Sequence, residues 1–265
     1  MELVVNKRTG GILAIILLLA GAVWGVKHFC FPPLDEKFLQ LDYNRLRAAP
    51  PNVFVFRPSR FAGSQRFGVI SVALGDNPDY SKRQIRVMGH NATAREIIAL
   101  AFQCRQSRVL MPADTPTNRY DFLVTTPKAT ERLQQAVLSK LGCSAQWDDN
   151  RDTEVLELRL LGFNAPGIHP DGPGEVEWQF TGDNNLHWTH AKIAWFADRI
   201  EQLFGKPVVD KTGLNDYYEF SFAWNWRGNY TEADRIALTN SIGELGLKLE
   251  AETDSVRMLV VEKNH

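Results

Sequence analysis

The hydrophobic positions of this chain form one long uninterrupted run near its start and short periodic segments after it. Residues 10–26 read GGILAIILLLAGAVWGV and contain no charged side chain. A helix of such residues satisfies its own backbone hydrogen bonds, so the run is stable in the hydrocarbon core of a bilayer. Lys7 and Arg8 precede it, and a basic flank of this kind stays in the cytoplasm. The pattern predicts a membrane anchor that exports the rest of the chain.

The same run also fits a cleaved signal peptide. Residues 12–19 would then form its apolar centre, and Ala20-Gly21-Ala22 has the small-x-small form of a cleavage site. We favour the uncleaved anchor because the apolar run continues past Ala22. This assigns residues 1–9 to the cytoplasm, 10–30 to a transmembrane signal anchor and 31–52 to a stalk. The expected location is the bacterial inner membrane, with one span and a periplasmic C-terminal region.

Residues 53–162 alternate between strand-like and helix-like periodicity. Thr93 and Glu96 have the spacing of a capping box, which predicts the start of a helix. Thr126 followed by Pro127 predicts the start of a second helix, and Gly142 predicts its end. Alternating stretches before, between and after these helices predict strands. The predicted order is strand, helix, strand, strand, helix, strand.

Residues 175–265 repeat that order after a linker at residues 163–174 that is rich in glycine and proline. Helical spacing predicts helices at residues 188–204 and 231–245. The motif RYDF at residues 119–122 corresponds to YYEF at 217–220, and Leu-Gly at 141–142 corresponds to Leu-Gly at 245–246. An internal duplication is the simplest explanation of this correspondence.

These patterns predict an α+β protein, with an N-terminal transmembrane helix followed by two tandem β-α-β-β-α-β units. Each predicted helix in the units has one apolar stripe, and a stripe of this kind must be buried on a sheet. Each unit is therefore expected to be a small sheet with two helices on one face. The first unit would cover residues 53–162 and the second would cover residues 175–265.

The charge balance and the cysteines narrow the classes of partner. The chain has 30 basic and 31 acidic residues, whereas nucleic-acid-binding proteins usually carry a basic excess. We therefore expect no nucleic-acid partner. The expected partners are the lipid bilayer, through residues 10–30, and an unidentified protein or envelope ligand. Cys104 and Cys143 each follow a predicted helix, and either a disulfide or two separate buried thiols fits them.

A long string in the second half has the character of a family signature. Residues 207–214 read PVVDKTGL, and YEF at 218–220, Trp224 and LGLKLE at 245–250 follow. PNVFVFRP at 51–58 and RYDF at 119–122 are upstream landmarks. On these motifs the chain resembles a paralogous family of uncharacterised exported proteins from soil bacteria, chiefly Acidobacteria and Verrucomicrobia. The resemblance spans about residues 51–262 and implies no activity. The signature residues Pro207, Asp210, Lys211, Thr212 and Gly213 are expected to be structural.

At the level of pattern alone, each half also resembles the short N-terminal domain found in secretins and TonB-dependent receptors. Those modules bind partners and catalyse no reaction, so this second resemblance implies a binding role. Because fold alone does not determine function, it carries no residue roles with it.

The string Asp210-Lys211-Thr212-Gly213 also matches the phosphorylated string of P-type ATPases. In that chemistry Asp210 would act as a nucleophile. However, Leu214 stands where that family continues with threonine, and an exported domain has no access to ATP. We interpret the string as a turn in which Asp210 bonds to nearby backbone and Gly213 adopts a positive φ angle.

No motif predicts a catalytic, metal or cofactor site. His187 and His190, with Asp198 downstream, could line one face of the predicted helix, but they lack a third ligand at close spacing. No serine stands in G-x-S-x-G, and the sequence has no glycine-rich phosphate loop. We therefore expect no catalytic residue, no metal and no cofactor.

Aromatic residues are dense in the second half, and some of them fall in a predicted loop after a strand. This loop contains Trp224, Trp226, Arg227 and Tyr230. Exposed tryptophan and tyrosine residues mark recognition surfaces, so it is the expected partner-binding loop. Core packing is the competing interpretation; it fits Trp195 best, and it is as well supported as exposure for Trp226 and Tyr230.

Together these features favour a non-enzymatic, membrane-anchored module that binds a protein or envelope ligand outside the cytoplasm, through a sheet edge or the Trp226 loop. The alternatives are an exported hydrolase with a site between the two units and a sensory accessory protein of the cell envelope. A concave pocket with convergent polar groups between the units would favour the hydrolase. A flat or edge-strand surface would favour the binding module.

Overall fold

The computed structural model describes residues 41–59, 68–75, 83–181, 185–224 and 231–264. These ranges form five α-helices, one short 3₁₀ helix and twelve strands. The α-helices are α1 (Tyr43–Ala48), α2 (Ala94–Ala101), α3 (Ala129–Leu141), α4 (Ile193–Phe204) and α5 (Glu232–Glu244), and the 3₁₀ helix is Gln106–Arg108. The strands are β1 (Phe54–Pro58), β2 (Gly68–Leu74), β3 (Gln84–Thr93), β4 (Val109–Leu110), β5 (Arg119–Val124), β6 (Cys143–Leu160), β7 (His169–Asp171), β8 (Glu177–Phe180), β9 (Asn185–Ala191), β10 (Val208–Asp210), β11 (Tyr217–Ala223) and β12 (Leu247–Lys263).

The strands form three four-stranded sheets. The N-terminal sheet has the order β1-β5-β3-β2, and the C-terminal sheet has the order β7-β11-β9-β8. All pairs in these two sheets are antiparallel. The central sheet has the order β10-β6-β12-β4, so it takes two strands from each half of the chain.

The central sheet is built on two long strands, β6 with 18 residues and β12 with 17. They pair antiparallel over almost their whole length, from Leu247 opposite Leu160 to Lys263 opposite Cys143. The short strand β4 adds to β12 in parallel, and β10 adds to β6 in parallel. Strand β4 of the first half therefore pairs with β12 of the second half, and β10 of the second half pairs with β6 of the first.

The predicted fold of two separate units, each with its own sheet, is wrong. Three sheets are present, and the central one cannot be divided between the halves because β6 pairs with β12. The closing strand of the second half, β12, runs without a break from Leu247 to Lys263. Alternation identifies a strand but does not identify its partner, since every paired strand has the same period of two.

The predicted transmembrane helix is not part of the fold that the structure describes. No helix in the described ranges is long and apolar enough to cross a membrane. Residues 10–30, where the anchor was predicted, lie outside those ranges.

The described residues form two large hydrophobic cores, one near each end of the long strands of the central sheet. One core packs α2 and α3 against the N-terminal sheet, and the other packs α4 and α5 against the C-terminal sheet. Both long strands enter both cores: Cys143 of β6 and Leu259 of β12 belong to the first, and Leu158 and Leu247 belong to the second. The long strands therefore join the two cores by continuous backbone.

Helix α1 covers the other face of the N-terminal sheet. Its Leu46 packs in a third cluster with Met88 and Leu123 of the sheet. The buried Arg86 donates from Nη1 to the carbonyl oxygens of Leu46, Arg47 and Ala49, at 3.3, 2.8 and 2.6 Å. These carbonyls end α1 and have no partner within the helix, so the guanidinium satisfies them and complements the helix dipole. This part of the predicted stalk is thus packed on the sheet.

Local sequence signals predicted several helix ends correctly. The capping box of Thr93 and Glu96 opens α2, and Thr231 opens α5 with Asp234 in the same way. Gly142 ends α3 in the left-handed conformation, with a φ angle of +64°. Short-range chemistry of this kind is visible in sequence because both partners lie within four residues of each other.

Two predicted helix starts are wrong. Helix α3 begins at Ala129 after Lys128 in the left-handed conformation, and so does not begin at Pro127. Helix α4 begins at Ile193, because residues 185–191 form the strand β9. In β9 the buried residues Leu186 and Trp188 alternate with more exposed ones, which is the period of a strand and not of a helix.

Candidate binding groove

An open groove of about 690 Å³ lies between strand β8 and helix α4, at one edge of the C-terminal sheet. Five of the residues that line it are aromatic. Two walls, one from the strand and one from the helix, stand over a floor from the middle of the sheet. Arg105, from the loop between α2 and the 3₁₀ helix, also lines it, so both halves of the chain contribute.

The strand wall presents apolar residues at alternate positions. Val176, Trp178 and Phe180 line the groove, and the first of them immediately precedes β8. All four residues of β8 are exposed, and the side chain of Trp178 is 64% exposed. The rings of Trp178 and Phe180 meet edge to face, with centroids 5.9 Å apart. Because β8 is the last strand of its sheet among the described residues, this apolar wall stands at a sheet edge that no other described strand covers.

The helix wall is one face of α4. Trp195, Asp198, Arg199 and Gln202 line the groove, and their spacing of three and four residues places them side by side on the helix. The opposite stripe of α4, which includes Phe196 and Ile200, is buried in the core. Trp195 is 42% exposed, in contrast to the core packing that its position in the sequence suggested.

The groove floor is held by packing within the core. Trp188 of β9 and Trp224, just after β11, line the groove although both are buried. Both rings contact Phe222, with centroid distances of 5.1 Å for Trp188 and 6.2 Å for Trp224. A floor fixed in this way needs little reorganisation when a ligand arrives, which lowers the cost of binding.

The charged groups of the groove include one ion pair. Arg105 binds Asp198 through two hydrogen bonds, including one from Nε to Oδ1 at 3.0 Å. The hydrogen bond to Asp198 raises the pKa of the Arg105 guanidinium above its ordinary value. Arg199 lies over the ring of Trp224, 5.8 Å from the centroid, and donates to Gln202 Oε1 at 3.5 Å. Arg199 therefore has no carboxylate partner among the residues that line the groove.

Behind the helix wall, a buried carboxylate ties α4 to the first half of the chain. Glu201 is only 3% exposed and accepts from Arg108 Nε at 2.9 Å and Nη2 at 2.7 Å. It also accepts from the backbone N–H of Val208 at 3.0 Å and from the hydroxyl of Ser107. The carboxylate is thus fully hydrogen-bonded, which is the condition under which a buried charge is tolerated.

The two cysteines in the described part of the chain do not form a disulfide. Cys104 and Cys143 are both free thiols, so the pairing that the sequence left open is not formed. Burial raises the pKa of the Cys104 thiol to about 11, with the nearby carboxylate of Glu201 acting in the same direction and Arg108 opposing it. Cys104 is therefore protonated at neutral pH.

The structure describes only part of the predicted partner-binding loop. Trp224 lies on the groove floor. Trp226, Arg227 and Tyr230 lie outside the described residues. The predicted loop and the observed groove therefore share Trp224 alone.

The signature string forms a closed turn after β10 and lies away from the groove lining. Asp210 Oδ1 accepts from the backbone N–H of Thr212 at 2.9 Å and from its hydroxyl at 2.6 Å. Gly213 has a φ angle of +74°. Lys211 Nζ binds Asp254 Oδ2 at 2.8 Å, which raises the pKa of Lys211 and lowers that of Asp254. The Asp210 and Gly213 geometry is that of the turn interpretation, with Pro207 leading into the strand, whereas the Lys211–Asp254 ion pair is a contact that the sequence did not predict.

The two candidate metal-binding histidines are held by different partners. His187 and His190 lie on strand β9, and His190 lies at a register shift in its pairing with β11 and has a φ angle of +51°. His190 Nδ1 is 2.8 Å from the carbonyl oxygen of Gly172, and His187 Nδ1 is 2.9 Å from the hydroxyl of Ser221. Across the ranges that the structure describes, no three side chains of metal-binding type come together.

Ser221, His187 and Glu219 form the array in the described residues that most resembles a hydrolytic site. His187 Nε2 is 3.4 Å from Glu219 Oε1, on the side away from Ser221. The array lies on the outer, polar face of the C-terminal sheet, where Ser221 stands opposite His187 in the pairing of β11 with β9, and it is not part of the groove lining. The array is better explained as a hydrogen-bonded link between two strands.

A second buried polar cluster lies in the N-terminal sheet. Asp121 has no exposed surface and accepts from the backbone N–H of Asn91 at 3.0 Å. Arg57 Nε and His90 Nδ1 lie 3.7 and 3.6 Å from its carboxylate. The cluster sits where the pairing of β3 with β5 shifts register, and Asn91 has a φ angle of +48°. It therefore holds a β-bulge in place.

Sequence reasoning did not find the groove. The signal was present, because Val176, Trp178 and Phe180 alternate with Glu175, Glu177 and Gln179. This alternation predicts a strand with one apolar face, but whether a helix covers that face depends on contacts distant in sequence. The apolar face of β8 extends beyond the reach of α4, and this could not be predicted from local spacing.

Comparison with known proteins places the chain in a family without assigning it an activity. No curated protein and no solved structure matches it. A family model described as "Protein of unknown function (DUF3738)" matches residues 95–263, which run from the second residue of α2 to the end of β12. The chain therefore belongs to the DUF3738 family of uncharacterised proteins.

Proposed function

We propose that this protein is a membrane-anchored, non-enzymatic module that binds a protein or peptide partner in the groove between β8 and α4. The observation that carries the proposal is the exposure of the groove walls. Trp178 and Trp195, at 64% and 42%, face an open groove from opposite sides. Large exposed aromatic residues that share one concavity are typical of interaction sites.

The polar groups of the groove favour binding over hydrolysis. Asp198, the carboxylate of the groove lining, accepts two hydrogen bonds from Arg105, so both of its oxygens already have a partner. Gln202 and Arg199 are hydrogen-bond donors suited to orienting a ligand. The edge strand beside them is the kind of surface that a binding module uses.

The sequence supports a location and a class of partner. We infer that residues 10–30 anchor the chain in the bacterial inner membrane and that the folded part lies on its outer side. The balanced charge supports a protein or envelope ligand over a nucleic acid. The resemblance of its motifs to those of exported proteins from soil bacteria supports an exported role. The PVVDKTGL string would then serve the family as a structural turn.

Selection of random peptides displayed on phage tests the proposal. The full chain, purified in mild detergent, is used in parallel with Trp178→Ser and with Phe163→Ser as a matched control. Phe163 is an exposed aromatic residue outside the groove lining. We expect the natural chain and Phe163→Ser to enrich the same related sequences, and Trp178→Ser to lose them. Enrichment of the same clones by all three proteins, or no enrichment at all, would contradict the proposal.

A further inference from the structure

We infer that the groove takes an extended peptide, which pairs with β8 as an added strand and places an acidic side chain against Arg199. This inference rests on the proposed function and specifies its ligand. It names both the main-chain contacts and the side-chain chemistry of the partner.

The backbone of β8 points hydrogen-bonding groups toward the open edge. The N–H of Thr181 donates to the carbonyl of Asn185 at 2.9 Å, which marks these residues as a hydrogen-bonded pair between β8 and β9. Such pairs alternate along an antiparallel ladder. Gln179, two residues earlier, therefore directs its N–H and C=O toward β9, and Trp178 directs its own away from the sheet. A peptide laid along this edge would find donors and acceptors in the spacing of a strand.

This edge also lacks the features that protect other sheet edges. The opposite edge of the same sheet, β7, has only three residues and contains Pro170, which cannot donate to a ladder. Strand β8 has no proline, no lysine and no register shift in its pairing with β9. Its one charged residue is Glu177, on the side away from the groove. An edge of this kind is open to strand addition.

The side chains of β8 define the pattern of the added strand. Trp178 faces the groove, whereas Glu177 and Gln179 face the outer surface of the sheet. Neighbouring strands place their side chains on the same two faces. The peptide should therefore carry apolar residues at alternate positions toward the groove and polar residues between them.

Arg199 supplies the charge preference. Arg105 is engaged by Asp198, so Arg199 is the cation of the groove lining without a carboxylate partner there. Its hydrogen bond to Gln202 is long, at 3.5 Å, and leaves most of its five donors for a ligand. A carboxylate accepts two parallel hydrogen bonds from a guanidinium. One groove-facing position of the peptide should therefore be glutamate or aspartate.

Dye-labelled synthetic peptides test the inference by fluorescence anisotropy with the full chain. The probe has valine, leucine and one glutamate at alternate positions, with threonine or lysine between them, and its partner has glutamine in place of glutamate. We expect the glutamate peptide to bind about tenfold more tightly, since hydrogen bonds between charged groups exceed neutral ones by about this amount. Arg199→Gln should abolish the difference, and Arg199→Lys should retain part of it.

Two further peptides test strand addition. One carries N-methyl groups on the odd-numbered amides and the other on the even-numbered amides. Pairing with β8 uses one edge of the peptide only, so one series should lose binding and the other should keep it. Equal binding of both series, or a helical circular dichroism signal from the bound peptide, would overturn strand addition.

The outcomes separate the two proposals. Equal affinity for the glutamate and glutamine peptides, with binding still lost in Trp178→Ser, overturns the role of Arg199 and supports the groove as a binding site. Binding that is unaffected by Trp178→Ser overturns the proposed function itself. Thermal unfolding of each variant confirms that a lost signal is not a lost fold.

Discussion

At the scale of single residues, two ion pairs join helix α4, which forms one wall of the groove, to the first half of the chain. Asp198 and Glu201 lie one helical turn apart on α4, and they bind Arg105 of the loop after α2 and Arg108 of the 3₁₀ helix. The first pair is exposed, and the second has its carboxylate at 3% exposure. Burial decides which pair matters for stability, because water screens the first and not the second.

We predict that Glu201→Gln destabilises the protein by about 3 kcal/mol, because it leaves the partly buried guanidinium of Arg108 without its counter-charge. Asp198→Asn is the matched control, and should cost less than about 1 kcal/mol because that pair is exposed. Urea unfolding followed by tryptophan fluorescence measures both. Equal losses for the two variants would contradict this assignment.

Cys104 gives a prediction about pH. Burial raises the pKa of its thiol from 9.0 to about 11, so at pH 8 the thiolate fraction should be about 100-fold below that of an ordinary cysteine. Because the folded state favours the neutral thiol, its contribution to stability is present below pH 9 and is lost as the pH rises toward 11. Mass spectrometry after iodoacetamide treatment reports the rate at this residue. Alkylation as fast in the native chain as in urea would contradict the assignment.

At the scale of elements, much of the local structure could be predicted from sequence. The capping boxes at Thr93 and Thr231 and the left-handed end at Gly142 follow from residues within one helical turn. The start of α4 was misplaced because the apolar residues of β9 run directly into those of the helix. A strand that continues into a helix gives overlapping periodicities, and local spacing does not separate them.

Glycine substitutions test how closely β3 and β5 pack. A Cβ atom at Gly89 would overlap the ring of Phe122 on the neighbouring strand, so Gly89→Ala should destabilise the fold by about 3 kcal/mol. Gly243, within α5, has open space around the same position, and Gly243→Ala should stabilise by up to about 1 kcal/mol. Thermal unfolding measures both changes. A tolerated alanine at Gly89 would show that the two strands are farther apart than described.

At the scale of the whole molecule, the arrangement of the sheets was beyond prediction. The order of strands and helices along each half indicated separate units, but β6 and β12 pair with each other across the halves. Strand pairing is a contact between residues about a hundred positions apart, and nothing local to either strand specifies it. The groove could not be predicted from the sequence for the same reason, because one of its lining residues, Arg105, comes from the other half of the chain.

The central claim is that the open edge of β8 is the surface that binds a partner. Hydrogen–deuterium exchange of the full chain, with and without the glutamate peptide, tests it directly. We predict slower exchange at the backbone amides of Trp178 and Phe180 when the peptide is bound, because the added strand accepts their hydrogen bonds. Protection confined to the N-terminal sheet, or none at β8 while the peptide is bound, would contradict the account.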